Sequence, residues 1–153
     1  MSEVIIRKAH IEDLSTLREF EQGVILAERP YDETLANDPI SYYDLEGLIQ
    51  AEDAEVLVAI RGDEIVGSGY AKILEAKSYH KHDRYAYLGY MYVRPSHRGL
   101  GINKLIINDL FAWSKARGVT EVRLDVYEEN EAAIRAYRKV GFKGHLLNMR
   151  VGL

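Results

Sequence analysis

The stretch Val93-Arg94-Pro95-Ser96-His97-Arg98-Gly99-Leu100-Gly101-Ile102-Asn103-Lys104-Leu105 constrains this chain more than any other. An aromatic-rich apolar run, Tyr85 to Val93, stops at Pro95 and passes two glycines. It resumes with apolar residues at three- and four-residue spacing, the face Ile102, Leu105, Ile106, Leu110 and Trp113. That change of period predicts a strand that becomes a helix across a glycine turn. The first amides of a helix lack intrahelical acceptors and carry the positive end of its dipole, so bare backbone there suits phosphate oxygens. A dinucleotide fingerprint needs a third glycine where Lys104 stands, and a Walker loop needs four residues between its glycines followed by Gly-Lys-Ser/Thr. Neither pattern fits. On residues alone, a glycine turn that only links strand to helix stays open.

With 153 residues the chain has the length of one domain, residues 1–153, and enough apolar content, 47%, for a core. It has no cysteine, which removes disulfides, thiolate metal sites and a cysteine acyl-enzyme. A net charge of −4 gives no long-range attraction to nucleic acid, so an anionic cofactor has to be held by local groups. No run approaches the roughly 18 apolar residues of a membrane span, and the start, with Glu3 and Arg7, has no apolar signal core. The expectation is a cytoplasmic protein without a membrane partner.

Val4-Ile5-Ile6 reads as a strand, and Ile11, Leu14, Leu17, Phe20, Val24 and Ile25 as one face of a helix. Asp32 to Gln50 reads as a second helical stretch interrupted at Pro39, with Ser41-x-x-Asp44 as a capping signal. The segment Glu28 to Pro39 is long enough for a substrate rim. Glu55–Ile60 and Ile65–Leu74 form a hairpin through Arg61-Gly62-Asp63-Glu64. Gly67 and Gly69 alternate with Val66, Ser68 and Tyr70, leaving one face bare for a bulge, a ligand or another backbone. His80, His82 and Asp83 lie in a polar loop where two histidines read as solvated, and no metal site is expected. Glu121 to Tyr127 alternates as a half-buried strand. Asn130 can cap a helix through Val140, Gly141 can end it in the left-handed conformation, and Leu146 to Val151 can form a closing strand.

Two sets of residues then agree. Arg98-x-x-Gly101-x-Asn103 follows a strand and opens a helix. Downstream, Leu124 to Tyr127 is followed by Asn130-x-x-Ala133, Tyr137 and Gly141-Phe142. Together they resemble the GNAT (GCN5-related N-acetyltransferase) superfamily, over roughly residues 55 to 145. The resemblance implies an α/β (α+β) fold, with a mixed, mostly antiparallel sheet of six to seven strands, helices on both faces, and a splayed central pair, Tyr85–Val93 and Glu121–Tyr127. It implies acetyl-CoA as acetyl donor, with no metal, in direct transfer to a primary amine of a small molecule or a protein, and a possible homodimer. The alternative is a catalytically inactive CoA-binding regulatory or interaction domain of the same fold.

Matched residue by residue, the resemblance implies that main-chain groups of Met91, Tyr92 and Val93 meet the pantetheine arm. Amides of Arg98, Gly99, Leu100, Gly101, Ile102 and Asn103 would line the diphosphate, and Asn130 would approach the cofactor arm. Tyr137 would be the general acid. By pattern alone Tyr137 is a core residue with its hydroxyl at a boundary, but a phenol of pKa about 10 can donate to a departing thiolate. The resemblance implies a Glu base on the strand before the turn, acting directly or through water, but Tyr85 to Tyr92 has no carboxylate. Glu75, at the end of the neighbouring strand, is a candidate base, and Tyr90 or Tyr87 could hold a water. Tyr31, Asp32 and Tyr90 are the expected acceptor contacts.

Overall fold

The structure is a computed structural model that describes residues 3–153. Among the described residues one five-stranded sheet runs in the order β1-β2-β3-β4-β5, formed by Val4–Lys8, Ala54–Arg61, Glu64–Glu75, Arg84–Val93 and Val122–Arg123. The first four strands pair antiparallel, while β5 lies parallel to β4 after a helical crossover. Helices α1 (Leu14–Glu28) and α2 (Leu45–Gln50) cover one face, and α3 (Ile102–Ala116) and α4 (Glu131–Lys139) lie on the other side.

This layering follows from β2, whose neighbours alternate between faces. Val56 and Val58 pack with Leu17, Phe20, Leu45 and Ile49, whereas Leu57 and Ala59 pack with Ile102, Ile106 and Leu110. A strand covered on both faces needs consecutive apolar residues, and β2 has them from Val56 to Ile60. In α3 the buried apolar residues are Ile102, Ile106, Ile107 and Leu110, and Leu105, expected on that face, is exposed. The faces of Gly67 and Gly69 that looked bare are filled from within the protein. A Cβ on Gly67 would approach Ile102 of α3 at 3.2 Å, and one on Gly69 would approach Ile106 at 2.9 Å and the Met91 sulfur at 2.7 Å.

Opposite Gly69 the β3–β4 register slips. Ser68 faces Tyr92 while Tyr70 faces Gly89, so Tyr90 and Met91 share one position of β3 as a bulge. Tyr90 adopts φ 61°, a left-handed conformation that is strained for a residue with a side chain. Its hydroxyl donates to the Leu17 carbonyl, and its own carbonyl accepts from Ser68 Oγ at 3.3 Å, so both ends of the residue are fixed.

Two expectations are corrected. The stretch Asp32 to Gln50 is helical only from Leu45, because polar groups divert its backbone. Asp32 Oδ1 accepts from the Thr34 amide at 2.9 Å, and the Glu21 carboxylate takes the amides of Tyr42 and Tyr43 at 2.9 and 2.7 Å. Asp44, not Ser41, caps α2, accepting from the Gly47 amide at 3.1 Å, while Ser41 Oγ donates to Glu21. The sheet has five strands, not six or seven. Pairing of β5 with β4 ends at Tyr87↔Arg123, although β4 continues to Val93, and residues 143–153 form no strand. Beyond Arg123 the extended chain leaves β4 and has no neighbour on its other edge, so Leu124 to Tyr127 lack a ladder.

Candidate active site

The splay that shortens β5 opens a wedge. At its narrow end the Tyr87 hydroxyl donates to Asp125 Oδ2 at 3.0 Å, bridging the diverging strands. Along β4, the Arg94 amide donates to the Val66 carbonyl at 2.8 Å. Main-chain groups alternate sides along a strand, so those of Val93 point away from β3. The Val93 carbonyl accepts from Arg98 Nε at 3.1 Å, which staples the turn back onto the strand end.

The turn itself is open. After a 3-10 turn over Pro95–His97, Gly99 and Gly101 take φ 80° and 79°, and a Cβ on either would meet nothing within 4 Å. Both residues therefore need glycine for conformation, and both leave bare backbone facing free space. Gly101 caps α3 without a side-chain bond, and the Leu105 amide is the first to bond back, to the Gly101 carbonyl at 3.2 Å. The amides of Ile102, Asn103 and Lys104 are then left for an external acceptor. The Arg98 amide has a long bond to the Pro95 carbonyl, 3.4 Å, and the Leu100 side chain is exposed. The Asn103 amide oxygen is buried without a partner at the same turn. These residues fit an anionic, diphosphate-containing group: an open left-handed turn, unpaired amides, and the N-terminal end of a 15-residue helix.

Tyr137 lies on α4, half-buried, its ring edge-on to Phe142 at 5.8 Å. Among the described residues its hydroxyl has no hydrogen-bond partner. Burial and then the charge of Glu28 push its pKa up to about 12, so it stays a donor at neutral pH. Asn130 accepts from the Ala133 amide at 3.3 Å, which commits its side-chain oxygen to capping α4.

Glu28, the last residue of α1, is the group that sequence reasoning missed. Its carboxyl is held above the ordinary range, first by burial, against which the Tyr42 hydroxyl works, and further by the charge of Asp32. The same charge acts on Tyr43, Tyr87, Tyr127 and Tyr137, so Glu28 lies within electrostatic reach of all four. As a helix-end residue opening a loop it showed no motif. The available signal was the absence of any carboxylate on β4, which required one from another element.

Asp32 is placed beside it. Its carboxylate accepts from Tyr127 at 2.6 Å and is held below its usual pKa by the Thr34 hydroxyl and then by Tyr127. Tyr31 stacks on Tyr127 with centroids 6.2 Å apart. Three expected residues are not brought to the wedge. Glu75 pairs in register with Arg84 at the far end of β4, about 20 Å from the bulge at ~3.3 Å per residue. The Tyr90 ring is buried, 2% exposed, in the α1 layer. Tyr92 pairs with Ser68, and its ring lies on Phe20 at 4.7 Å. His80 and His82 stack at 5.1 Å, and the described residues contain no group of three metal-ligating side chains. No described helix is long and apolar enough to cross a membrane.

Comparison with known proteins agrees with this geometry. The chain is 35% identical over 107 residues to the acetyltransferase ECA0875 of Pectobacterium atrosepticum, covering 70% of this chain and 69% of that protein. It is 39% identical over 61 residues to glucosamine 6-phosphate N-acetyltransferase of Trypanosoma brucei brucei, a match spanning 40% of each. Among solved structures, a tetramutant of the BH1408 protein from Bacillus halodurans superposes with a TM-score of 0.84 at 26% identity, over 97% of this chain and 99% of that one. A predicted acetyltransferase of Clostridium acetobutylicum, solved with acetyl-CoA, superposes with a TM-score of 0.76 at 18% identity, over 98% and 96% of the two chains. A model of the acetyltransferase (GNAT) family matches residues 8–142, and the chain belongs to that family.

Proposed function

We propose that this chain is a single-domain N-acetyltransferase that joins an acetyl group from acetyl-CoA to a primary amine held in the wedge. The observation that carries this reading is the open Gly99–Gly101 turn at the head of a 15-residue helix, supported by Tyr137, a free phenol that stays a donor at neutral pH within electrostatic reach of Glu28. The acetyl-CoA-bound neighbour supports the assignment of the turn to a diphosphate.

Acetyl-CoA supplies the acyl carbon as a thioester: a nitrogen–carbon bond forms, the carbon–sulfur bond breaks, and sulfur leaves as a thiolate. The amides after Gly101 hold the diphosphate, and outward main-chain groups of Met91 and Val93 align the pantetheine arm like an added strand. Glu28 takes the proton that an ammonium must lose before it attacks, a role Glu75 is too distant to fill. Tyr137 donates a hydrogen bond to the sulfur. With the phenol at about 12 and a thiol near 8.5, full transfer is uphill by about three to four pH units. The hydroxyl therefore stabilises the thiolate and solvent completes its protonation. Glu28 and Asp32 beneath a wall of tyrosines form a cation-attracting surface, which fits an amine acceptor.

Thiol release from acetyl-CoA across a panel of amines, with calorimetric titration of CoA, tests the reading. Saturable binding with turnover on at least one amine is expected. Binding without turnover on any amine selects the CoA-binding regulatory domain, and absence of binding overturns both.

A further inference from the structure

On the face of the sheet covered by α1 and α2, charge changes sign along β5. Val122 and Leu124 pack toward α3, so Arg123, Asp125 and Tyr127 share the opposite face, with Tyr87. Asp125 accepts from Tyr87 and Asp32 accepts from Tyr127, which makes the splayed end of this face acidic. Two residues before Asp125 stands Arg123, level with Tyr87 in the β4–β5 register. Its guanidinium lies over the Tyr85 ring at 5.4 Å and commits only Nε, to Glu121 Oε2 at 3.0 Å. Among the described residues its two terminal nitrogens have no partner, and such a fork of N–H groups matches the edge of a carboxylate or phosphate.

The loop between β3 and β4 brings further groups to the same place. His80 and His82 stack with rings 5.1 Å apart and 8° from parallel, and His82 meets the Tyr85 ring edge-on at 6.4 Å. The loop is held by the Ala76 amide on the Asp83 carbonyl at 2.8 Å and the His80 amide on the Lys77 carbonyl at 2.9 Å. Nδ1 of His80 and Nε2 of His82 are shielded from solvent and have no hydrogen-bond partner, so these are not the solvated histidines that the sequence suggested. Burial, followed by the charges of Arg123, His82, His145 and Lys77, holds His80 below its ordinary pKa. Among the described residues no carboxylate acts on it. Orphaned imidazole nitrogens and a guanidinium with both terminal nitrogens unused are satisfied by the same kind of group, an oxyanion.

We propose that the amine acceptor carries an oxyanion, a carboxylate or a phosphate, at the end remote from its amine, and that Arg123, His80 and His82 bind it. This deepens the reading of the wedge as the site of acetyl transfer and rests on it. The amine lies toward Glu28 and Asp32, the oxyanion at the level of Tyr87, and the acceptor is held as a zwitterion between the two. From Tyr87 to the bulge at Tyr90 is three residues, about 10 Å along β4, which the arginine side chain shortens to the span of a few carbon atoms. A second ammonium at the Arg123 end meets like charge, so diamines are poor acceptors.

The test measures thiol release by the full chain on matched acceptors: 4-aminobutyrate and 6-aminohexanoate against their amides, 3-aminopropyl phosphate against 3-aminopropanol, and 1,4-diaminobutane. In at least one pair kcat/KM should be about 10-fold or more higher for the anionic member, with the diamine lowest. The pair with the larger ratio tells carboxylate from phosphate. Arg123→Gln should bring that ratio to within about twofold of one, with CoA affinity retained. A second readout needs no turnover. Adding 4-aminobutyrate or 3-aminopropyl phosphate should move the imidazole proton titrations of His80 and His82 to higher pH, each resonance identified by its loss in His80→Gln or His82→Gln, and should not do so in Arg123→Gln. Turnover with no preference for the anionic member, a preference that survives Arg123→Gln, or histidine titrations that neither anionic probe moves would each overturn the oxyanion site, the first leaving acetyl transfer in place. Histidine titrations that move, with no turnover on any amine, would support the site and remove the acetyl-transfer reading instead.

Discussion

The Tyr127 hydroxyl donates to Asp32 Oδ2 at 2.6 Å, joining residues 95 apart in sequence across the mouth of the wedge. One lies where β5 would have continued, the other in the loop that follows α1. A hydrogen bond to a charged acceptor contributes about 1.5–3 kcal/mol. Tyr127→Phe should free the loop and raise KM for the amine by about 10-fold, with the CoA dissociation constant within about twofold of the parent. An unchanged amine KM would show that the loop does not contact the acceptor.

Glu28 gives the pH dependence its sign. Its folded pKa lies above the unfolded value because burial disfavours the charge. Its contribution to stability is therefore greatest below the unfolded pKa of about 4.5 and is lost as pH rises through the folded value. Ionising the carboxyl therefore costs stability, and the ionised form is the one the proposed base requires. Glu28→Gln should keep or raise the melting temperature and lower kcat by about 10²-fold or more. The acid limb of the kcat profile should vanish with it. A variant with parental kcat removes Glu28 as the base.

The Gly99–Gly101 turn was legible in sequence because its requirement is a backbone one: only glycine adopts φ near 80° twice in three residues at no cost, and strand and helix periods flank it. Asn130 as cap and Gly141 as terminator were legible for the same reason, each being a local bond or a local dihedral angle. What escaped was decided by contacts distant in sequence. The Glu21 carboxylate pulls Tyr42 and Tyr43 out of a helical pattern from about twenty residues away, and Glu28 is coupled by its charge to tyrosines on α4, β4 and the loop before α2. Glu75 looked suitable because it ended the neighbouring strand, but the β3–β4 register put it at the wrong end. The closing strand has the right alternation, but residues 143–153 make no backbone hydrogen bond to the sheet.

Gly101→Val tests the cradle. A β-branched residue at φ 79° is strained by about 1–2 kcal/mol, a loss of several degrees in melting temperature at most for a chain this size. Its side chain would project into space that no protein atom occupies within 4 Å. CoA affinity should fall more than 10-fold in a folded protein, measured by calorimetry. Parental affinity would show that the diphosphate does not lie on this turn.

Tyr137→Phe deletes a hydroxyl that makes no hydrogen bond within the described protein, so the fold should lose little. If the phenol stabilises a thiolate, the loss is one charge-assisted hydrogen bond formed only as sulfur departs, about 1.5–3 kcal/mol, or roughly 10- to 150-fold in kcat. CoA affinity should hardly change. Substituting acetyl donors with more acidic leaving thiols should shrink the effect, and full activity of the variant would remove Tyr137 from the chemistry.

Glu21 links stability to the shape of the wedge. It is 4% exposed, and its carboxylate accepts from the amides of Tyr42 and Tyr43 at 2.9 and 2.7 Å and from Ser41 Oγ at 3.2 Å. Those bonds turn the chain so that Tyr43 meets Tyr70 and Tyr90 edge-on, at 5.6 and 5.1 Å, and Tyr42 lies near enough to Glu28 to oppose the rise of its pKa, though its hydroxyl makes no hydrogen bond. Glu21→Ala leaves two amides without acceptors, at a cost of about 2–4 kcal/mol by urea unfolding. Glu21→Gln keeps one acceptor oxygen and should recover about half of that. Because Tyr42 opposes the burial-driven rise at Glu28, loosening the turn should also move the acid limb of kcat to higher pH in Glu21→Gln. A destabilised variant whose pH profile stays in place would mean that Glu21 supports the fold alone and that Tyr42 does not tune the base.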